Sequence, residues 1–263
     1  MNTTAREGAR WPGKMTRTAF FVGMLGIFLL LFAGPTYRLG LLPLVPALLG
    51  TAIGFLLFII TFIVGAIGLV AGGRQEVARS RAAAAVIALS LVVTIVAGMW
   101  ISRGMGTAPI HDVTTDLSDP PVFKDTVPLR LASGASNPVQ YQRTQSMQGN
   151  TINVPDAQRR AYPDIQPVVL PQPPARAVQL AEQVARDMGW TIVAVVPSEG
   201  RLEATDTTLY FGFKDDVVVR ATPESTGSRV DVRSESRVGG GDAGTNAKRV
   251  RTFLAKLREA AGK

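Results

Sequence analysis

Residues 44–70 read LVPALLGTAIGFLLFIITFIVGAIGLV, an uninterrupted run without a single charged side chain. Because a helix needs about 20 apolar residues to cross a hydrocarbon core of about 30 Å, this run predicts a membrane-spanning helix. Two further apolar runs flank it, at about residues 18–34 and 82–101. Together the three runs predict a transmembrane region over residues 1–103.

The first apolar run is short and follows a basic stretch, a pattern that is also typical of a secretory signal peptide. Pro35 and Tyr37, however, stand where the small residues of a cleavage site are expected. These residues favour a helix that stays in the mature protein, and cleavage remains the alternative.

Positive charge is concentrated beside the apolar runs. Residues 1–103 hold nine Lys and Arg against two Glu, whereas residues 104–263 hold nineteen Lys and Arg against eighteen Asp and Glu. Cytoplasmic loops are enriched in Lys and Arg, and most of the basic residues lie in the N-terminal tail and before the third run. We therefore predict a multi-pass protein of the cell (inner) membrane with a cytoplasmic N-terminus and an extracytoplasmic (periplasmic) C-terminal domain. The near-neutral soluble part argues against nucleic-acid binding.

The predicted spans contain no Asp, Glu, Lys, Arg or His. Ionisable groups inside a membrane usually mark proton or ion paths, so this composition argues against a pump or a proton-coupled transporter. The region then serves as an anchor in the lipid bilayer. Gly50 and Gly54 form a G-x-x-x-G pattern, which would instead let two helices approach closely.

Cysteine and histidine usage limits the possible chemistry. The chain has no cysteine and one histidine, His111, so disulfides and thiolate sites are excluded and zinc would need ligands that the sequence does not supply. We predict no metal and no cofactor. His111, beside Asp112, is either a general base or a loop histidine bonded to the backbone.

Residues 104–172 form a proline-rich segment. Nine prolines are spread through it and exclude a long helix. It keeps apolar side chains such as Phe123 and Tyr141, which predict an ordered, extended arm packed over a domain surface. A disordered tether is the alternative.

Residues 173–263 show regular periodicity. We predict a helix, three or four strands joined by short turns, and a second helix, with the elements at residues 174–188, 190–196, 201–208, 217–221, 228–237 and 245–260. This order predicts a two-layer α+β domain with an antiparallel sheet and two flanking helices. The expected core residues are Trp190, Val193, Val195, Leu202, Ala204, Phe211, Phe213, Val217, Val219, Val230, Val232, Phe253 and Leu257.

The strand over residues 228–237 alternates strictly, so that its charged residues share one face, which is either solvated or a polar binding face. The glycine-rich loop over residues 238–246 opens the last helix, whose N-terminal amides attract anions. The alternative is a plain turn with Asp242 or Thr245 as the helix cap. The candidate ligand-binding residues are Asp216, Arg220, Arg233, Arg237, Asp242, Asn246 and Arg249.

Several separated motifs in the C-terminal part form one pattern. They are Glu203-Ala204-Thr205, Phe213 with Asp215-Asp216-Val217, the stretch from Asp231 to Gly239, and Asp242, Gly244, Asn246 and Arg249. In this order they resemble the family named domain of unknown function 1499, over about residues 109–258. The segments HDVTTD (111–116) and YPDI (162–165) are similar to membrane-anchored members. The family name implies no activity.

Two classes of function remain. The first is a non-enzymatic envelope module that binds a protein partner or a small anionic ligand outside the membrane. The second is an envelope hydrolase or transferase that uses carboxylates with an arginine cluster, the candidates being Asp206, Asp215, Asp216, Asp231 and Asp242. We favour the first, with no catalytic residues, because adjacent Asp215 and Asp216 should point to opposite sides of a strand. A turn-capping role suits one of them better.

Overall fold

The structure is a computed structural model that describes residues 11–104, 106–147 and 149–262. The chain divides into a helical unit, residues 1–103 together with Tyr210–Gly212, and a mixed unit, residues 104–209 and 213–263. The helical unit consists of α1 (Trp11–Arg38), α2 (Leu44–Arg79) and α3 (Arg81–Gly104). All three are long and apolar enough to cross a membrane. They extend past the predicted apolar runs into the polar flanks, and α2 is kinked there at Gly73, where φ is 60°.

Glycines allow α1 and α2 to approach each other closely. A Cβ on Gly54 would lie 2.9 Å from the side chain of Leu30 and 3.3 Å from the carbonyl oxygen of Gly26. At Gly50, one turn earlier, a Cβ would lie 3.4 Å from Ala33. The G-x-x-x-G pattern therefore lies at the α1–α2 interface, where small residues let backbones pack.

The mixed unit is built on a six-stranded antiparallel sheet. Its strands are β1 (Asp112–Thr114), β4 (Val168–Leu170), β5 (Thr191–Val196), β6 (Arg201–Thr207), β7 (Lys214–Glu224) and β8 (Gly227–Ser236). Their order is β1-β8-β7-β6-β5, and β4 also pairs with β8. A separate hairpin is formed by β2 (Thr144–Met147) and β3 (Asn150–Asn153).

The sheet has two more strands than the periodic C-terminal region supplies. β1 and β4 come from the proline-rich segment and pair with opposite halves of β8, at Ser234 and Arg229 respectively. Three-residue strands carry too little alternation to be predicted from sequence. The mixed unit is the α+β arrangement with an antiparallel sheet that the sequence predicts.

Helices cover the apolar face of the sheet. They are α6 (Pro174–Asp187) and α7 (Thr245–Ala261), and a short 3₁₀ turn (Pro197–Glu199) links β5 to β6. Trp190 stacks on Phe253 with the ring centroids 5.2 Å apart. Of the predicted core, four side chains are only half-buried, namely Val193, Val195, Phe211 and Phe213. The others are buried.

The proline-rich segment contributes to both faces of the sheet, because Arg130 lies on the face opposite α6 and α7, whereas Val154 and Ala157 belong to the apolar cluster that includes these two helices. It contains two short helices, α4 (Thr126–Ala132) and α5 (Val154–Ala161). Gln158 of α5 bonds both backbone groups of Thr114, at 3.1 Å from its nitrogen and 2.6 Å from its oxygen. The sheet thus lies between an apolar layer of α5, α6 and α7 and a second layer built around α4.

Candidate functional site

Adjacent aspartates in β7 face opposite sides of the sheet. Asp215 lies 2.6 Å from Arg249 of α7, and Asp216 lies 2.9 Å from Arg130 of α4. Successive side chains of a strand alternate between faces, so the two carboxylates form separate sites, as predicted. Neither caps a turn, because β7 runs through both, from Lys214 onwards.

Asp216 is the centre of the polar face. It is fully buried, and its carboxylate binds Arg237 through two contacts of 2.8 Å and Arg130 through one of 2.9 Å. The hydroxyl of Thr205 donates a further bond of 2.7 Å. A buried carboxylate is tolerated when it is paired and its lone pairs are satisfied, and both conditions hold here.

Arg233 forms the second half of this cluster. Its guanidinium lies 2.8 Å from Asp112 and 3.3 Å from Glu235, and it is 1% exposed. The rings of Phe123 and Tyr141 lie 5.0 and 5.5 Å from its central carbon. Aromatic faces stabilise a desolvated guanidinium, so the segment that supplies these rings also completes the site. We call Asp112, Arg130, Asp216, Arg233, Glu235 and Arg237 the charge cluster.

Glu235 is the least compensated member of the charge cluster. Burial raises its pKa to about 9, and the nearby Asp112 acts in the same direction. One of its oxygens lies 3.2 Å from Arg130 but has no well-aligned hydrogen bond. Burial is the largest cause of this shift, and it favours the protonated form of the side chain.

Glu203 holds α4 on the sheet. Its carboxylate accepts the backbone N–H groups of Lys124, Asp125 and Thr126 at 2.7, 3.2 and 2.7 Å, and also the hydroxyl of Thr126. Arg201, two residues earlier on β6, binds the same carboxylate. The free amides at the start of a helix need acceptors, so Glu203 acts as a cap supplied by a distant strand.

A second ionic site lies on the helical face. Arg249 binds Asp206 at 2.8 Å and Asp215 at 2.6 Å, and it donates to the side-chain oxygens of Ser234 and Asn246. Arg249 is buried. This site fixes the start of α7 to the ends of β6 and β7, and it is separated from the charge cluster by the sheet.

The glycine-rich loop ends in a carboxylate cap. Asp242 accepts bonds from the amides of Gly244, at 2.8 Å, and Asn246, at 2.6 Å. Gly244 has a φ of 79°, a conformation that favours glycine and turns these amides toward Asp242. Burial raises the pKa of Asp242. The helix N-terminus that would attract an anion already binds this carboxylate.

The candidate residues therefore divide into three places. Asp216, Arg233 and Arg237 meet in the charge cluster, whereas Asp242, Asn246 and Arg249 lie at the start of α7. Arg220 is apart from both and bonds Asp119 at 2.7 Å. The charged residues of β8 share one face as predicted, but that face is buried under the proline-rich segment and is not solvated.

Sequence reasoning missed the partners that come from the proline-rich segment and from β6. These partners are the buried residues Arg130, Phe123 and Glu203. The sequence around them shows no regular alternation of apolar and polar residues that would indicate which strands they contact. His111 is buried too, and burial lowers its pKa. Its Nδ1 has no hydrogen-bond partner among the described residues, so the geometry decides between neither of the two roles considered.

Two clefts flank α4. One, of about 360 Å³, is lined by Leu131, Asn137 and other residues of the proline-rich segment. The other, of about 370 Å³, lies between α4 and β5. A larger groove of about 790 Å³ runs between α2 and α3, but its lining is apolar apart from Thr94 and faces acyl chains in a bilayer. A further cleft of about 340 Å³ lies between α6 and α7 and is lined by charged side chains, among them Arg176, Asp187 and Lys256.

The sequence pattern of the family described as Protein of unknown function (DUF1499) matches residues 112–257, more than half of the chain. The chain belongs to the DUF1499 family. The matched range begins at Asp112 and includes the charge cluster, the Glu203 cap and the Arg249 site, so the membrane helices lie outside it. No curated protein and no solved structure matches the chain.

Proposed function

We propose that this DUF1499 protein is a membrane-anchored, non-catalytic binding module of the cell envelope. In this proposal α1, α2 and α3 anchor the chain in the inner membrane, and the unit that begins at Gly104 is presented on the periplasmic side. The excess of Lys and Arg in the N-terminal tail and in the α2–α3 connection supports this orientation.

The ion pairing of the candidate carboxylates carries the non-catalytic part of the proposal. Asp216 is bound by two arginines, Asp215 by one, and both are buried. An acid or base must reach a substrate within hydrogen-bonding distance, and these groups are occupied by partners inside the protein. Their energetic role is to hold the proline-rich segment and α7 on the sheet.

The exposed side of α4 supports binding of a protein partner. Leu129 is 46% exposed and Leu131 is 77% exposed, and Val122 just before the helix is 65% exposed. Leu131 lines one of the two clefts and Leu129 the other, whereas the buried side of α4 carries Arg130. Apolar side chains grouped at the edge of clefts are typical of interaction sites.

Photo-crosslinking tests partner binding in the absence of native cysteines. A benzophenone attached to Leu131→Cys in membranes should give an adduct heavier than the 28.0 kDa chain, identified by mass spectrometry. Val169→Cys, 53% exposed on β4, is the matched control and should give little adduct. Equal adducts at both positions, or none at Leu131, would contradict the proposal.

Thiol labelling tests the orientation in the same background. Ser225→Cys lies at an exposed position in the β7–β8 turn, and Gln75→Cys lies at an exposed position near the end of α2. A membrane-impermeant maleimide should label Ser225→Cys in cells with a permeabilised outer membrane and should label Gln75→Cys only after lysis. The reverse pattern would place the unit in the cytoplasm.

An envelope hydrolase or transferase is the second candidate. Glu235 supports it, because a buried acid with a raised pKa beside arginines is a common feature of active sites. Turnover would require the proline-rich segment to open, since Glu235 is 1% exposed. A Glu235→Gln variant that keeps the crosslink at Leu131→Cys would support the binding module over the enzyme.

A further inference from the structure

The outer strand of the sheet has an open edge. β5 is the last strand in the order, and in the described part of the chain it pairs only with β6. Its sequence, Thr-Ile-Val-Ala-Val-Val, contains neither a charged residue nor a proline. Natural proteins usually protect an exposed edge with such residues, because its free N–H and C=O groups can pair with another chain.

A bulge shapes this edge without closing it. The register with β6 shifts between Ile192 and Ala194, which leaves Val193 as the extra residue. From Ala194 to Val196 the pairing with β6 is regular again. A bulge redirects a side chain, and Val193 here lines the cleft beside α4.

The cleft between β5 and α4 has the size and lining for side chains of an added strand. It measures about 370 Å³ and is bordered by Thr191 and Val193 on one side and by Leu129 and Ala132 on the other. A strand that pairs with β5 would place alternate side chains on this side of the sheet.

The charges at the cleft indicate the chemistry of the occupant. Lys214 and Arg237 line it, and none of the described lining residues is acidic. Arg237 is already paired with Asp216, whereas Lys214 is exposed and makes no ion pair with a described residue. An acidic side chain on the incoming strand would complement Lys214. A second copy of β5 would bring no carboxylate from its own strand.

We propose that β5 binds an extended, acidic segment of a partner protein, which joins the sheet as a seventh strand with its side chains in the cleft beside α4. The proposal rests on the proposed binding function and specifies its surface and its ligand. Backbone pairing supplies affinity, and the cleft with Lys214 supplies selectivity.

Synthetic peptides test this proposal with the full-length protein in detergent. The probe is fluorescein-labelled Thr-Val-Glu-Val-Thr-Val, compared by anisotropy with the same peptide carrying Lys in place of Glu. We expect the Glu peptide to bind about 5-fold more tightly, in line with a partly exposed ion pair. Lys214→Glu should reverse this preference, and Lys248→Glu, at an exposed position on α7, should leave it unchanged.

Backbone pairing is tested without changing the protein. Two methylated forms of the Glu peptide carry N-methyl groups on the odd-numbered or on the even-numbered amides. Only one set of amides faces β5 in an added strand, so one form should lose binding and the other should keep it. Equal binding of both methylated forms, or no binding of any peptide, would overturn the proposal. A disulfide-linked dimer formed efficiently by Thr191→Cys would assign the edge to a second copy and would also overturn it. A crosslink at Leu131→Cys that persists in such a case would leave the binding function intact.

Discussion

The two faces of the sheet are covered by layers of opposite chemistry. On one face, α6 and α7 bury Ala181, Phe253 and Leu257 against the valines of β7 and β8. On the other, α4 and its flanking segment bury Arg130 and Phe123 against charged side chains of the same strands. Strand alternation lets a single stretch of sequence serve both layers.

The two layers respond differently to the loss of one side chain. The free energy gained from apolar burial is proportional to the buried area, so each lost side chain removes only its own contribution. Buried ion pairs offset a large desolvation cost only while every partner is present, so the loss of one leaves an uncompensated charge. The charged layer therefore makes the position of α4 depend on the exact set of partners, and it should be the more sensitive of the two.

The largest effect is expected for Asp216→Ala, which leaves Arg130 and Arg237 without their shared carboxylate. Removing one partner of a buried pair costs about 3–5 kcal/mol. Hydrogen exchange of β7 and β8 amides, followed by mass spectrometry on the detergent-solubilised chain, should report this loss as lower protection.

An exposed ion pair provides the control for Asp216. Asp119 binds Arg220 at 2.7 Å, but its side chain is 79% exposed. Asp119→Ala should cost less than about 1 kcal/mol, because solvent screens the pair. If Asp216→Ala also cost less than about 1 kcal/mol of unfolding free energy, the charge cluster would not stabilise the fold.

A smaller effect is expected on the apolar face. Leu257→Ala removes a fully buried side chain of α7 and should cost about 3 kcal/mol through lost burial and the cavity left behind. The loss should be the same at about pH 6 and about pH 8, since Leu257 belongs to the apolar cluster. Hydrogen exchange at the two pH values measures it, and a marked pH dependence would contradict the separation of the two layers.

The apolar layer was predictable and much of the charged layer was not. Val230 and Val232 alternate with charged neighbours, and the periodicity of α7 places Phe253 and Leu257 on one face, so the helices and central strands follow from local patterns. Arg130 and Asp112, which bind Asp216 and Arg233, come from the proline-rich segment and lie about 80–120 residues from their partners in sequence. Local sequence carries no record of such contacts, and the charged face of β8 was therefore open to interpretation as solvated.

The candidate site was divided for the same reason. Arg233 and Arg249 are both near the glycine-rich loop in sequence, yet strand alternation and the start of α7 place them on opposite sides of the sheet. The opposite orientation of Asp215 and Asp216 was predictable because it depends only on strand geometry.

Glu235 gives the fold a pH dependence of its own. Its pKa is about 9 in the folded protein, above the ordinary value of 4.5. Its contribution to stability is therefore complete below about pH 4.5 and is lost as the pH rises toward 9, because the unfolded chain releases this proton first. The slope for one group is at most about 1.4 kcal/mol per pH unit. Glu235→Gln cannot titrate, so the protection of β8 amides, corrected for intrinsic exchange, should fall less steeply with pH than in the natural protein.

The matched control is Glu224→Gln, at an exposed carboxylate near the β7–β8 turn, which should keep the natural slope. If Glu235→Gln and the natural protein lose protection equally between about pH 6 and about pH 8, Glu235 is ionised in the fold. The charge cluster would then hold three carboxylates against three arginines, and α4 would be held by a balanced network of ion pairs instead of one with an excess of positive charge. In that case the charge cluster would have no excess of positive charge, and its ion pairs would be ordinary buried salt bridges.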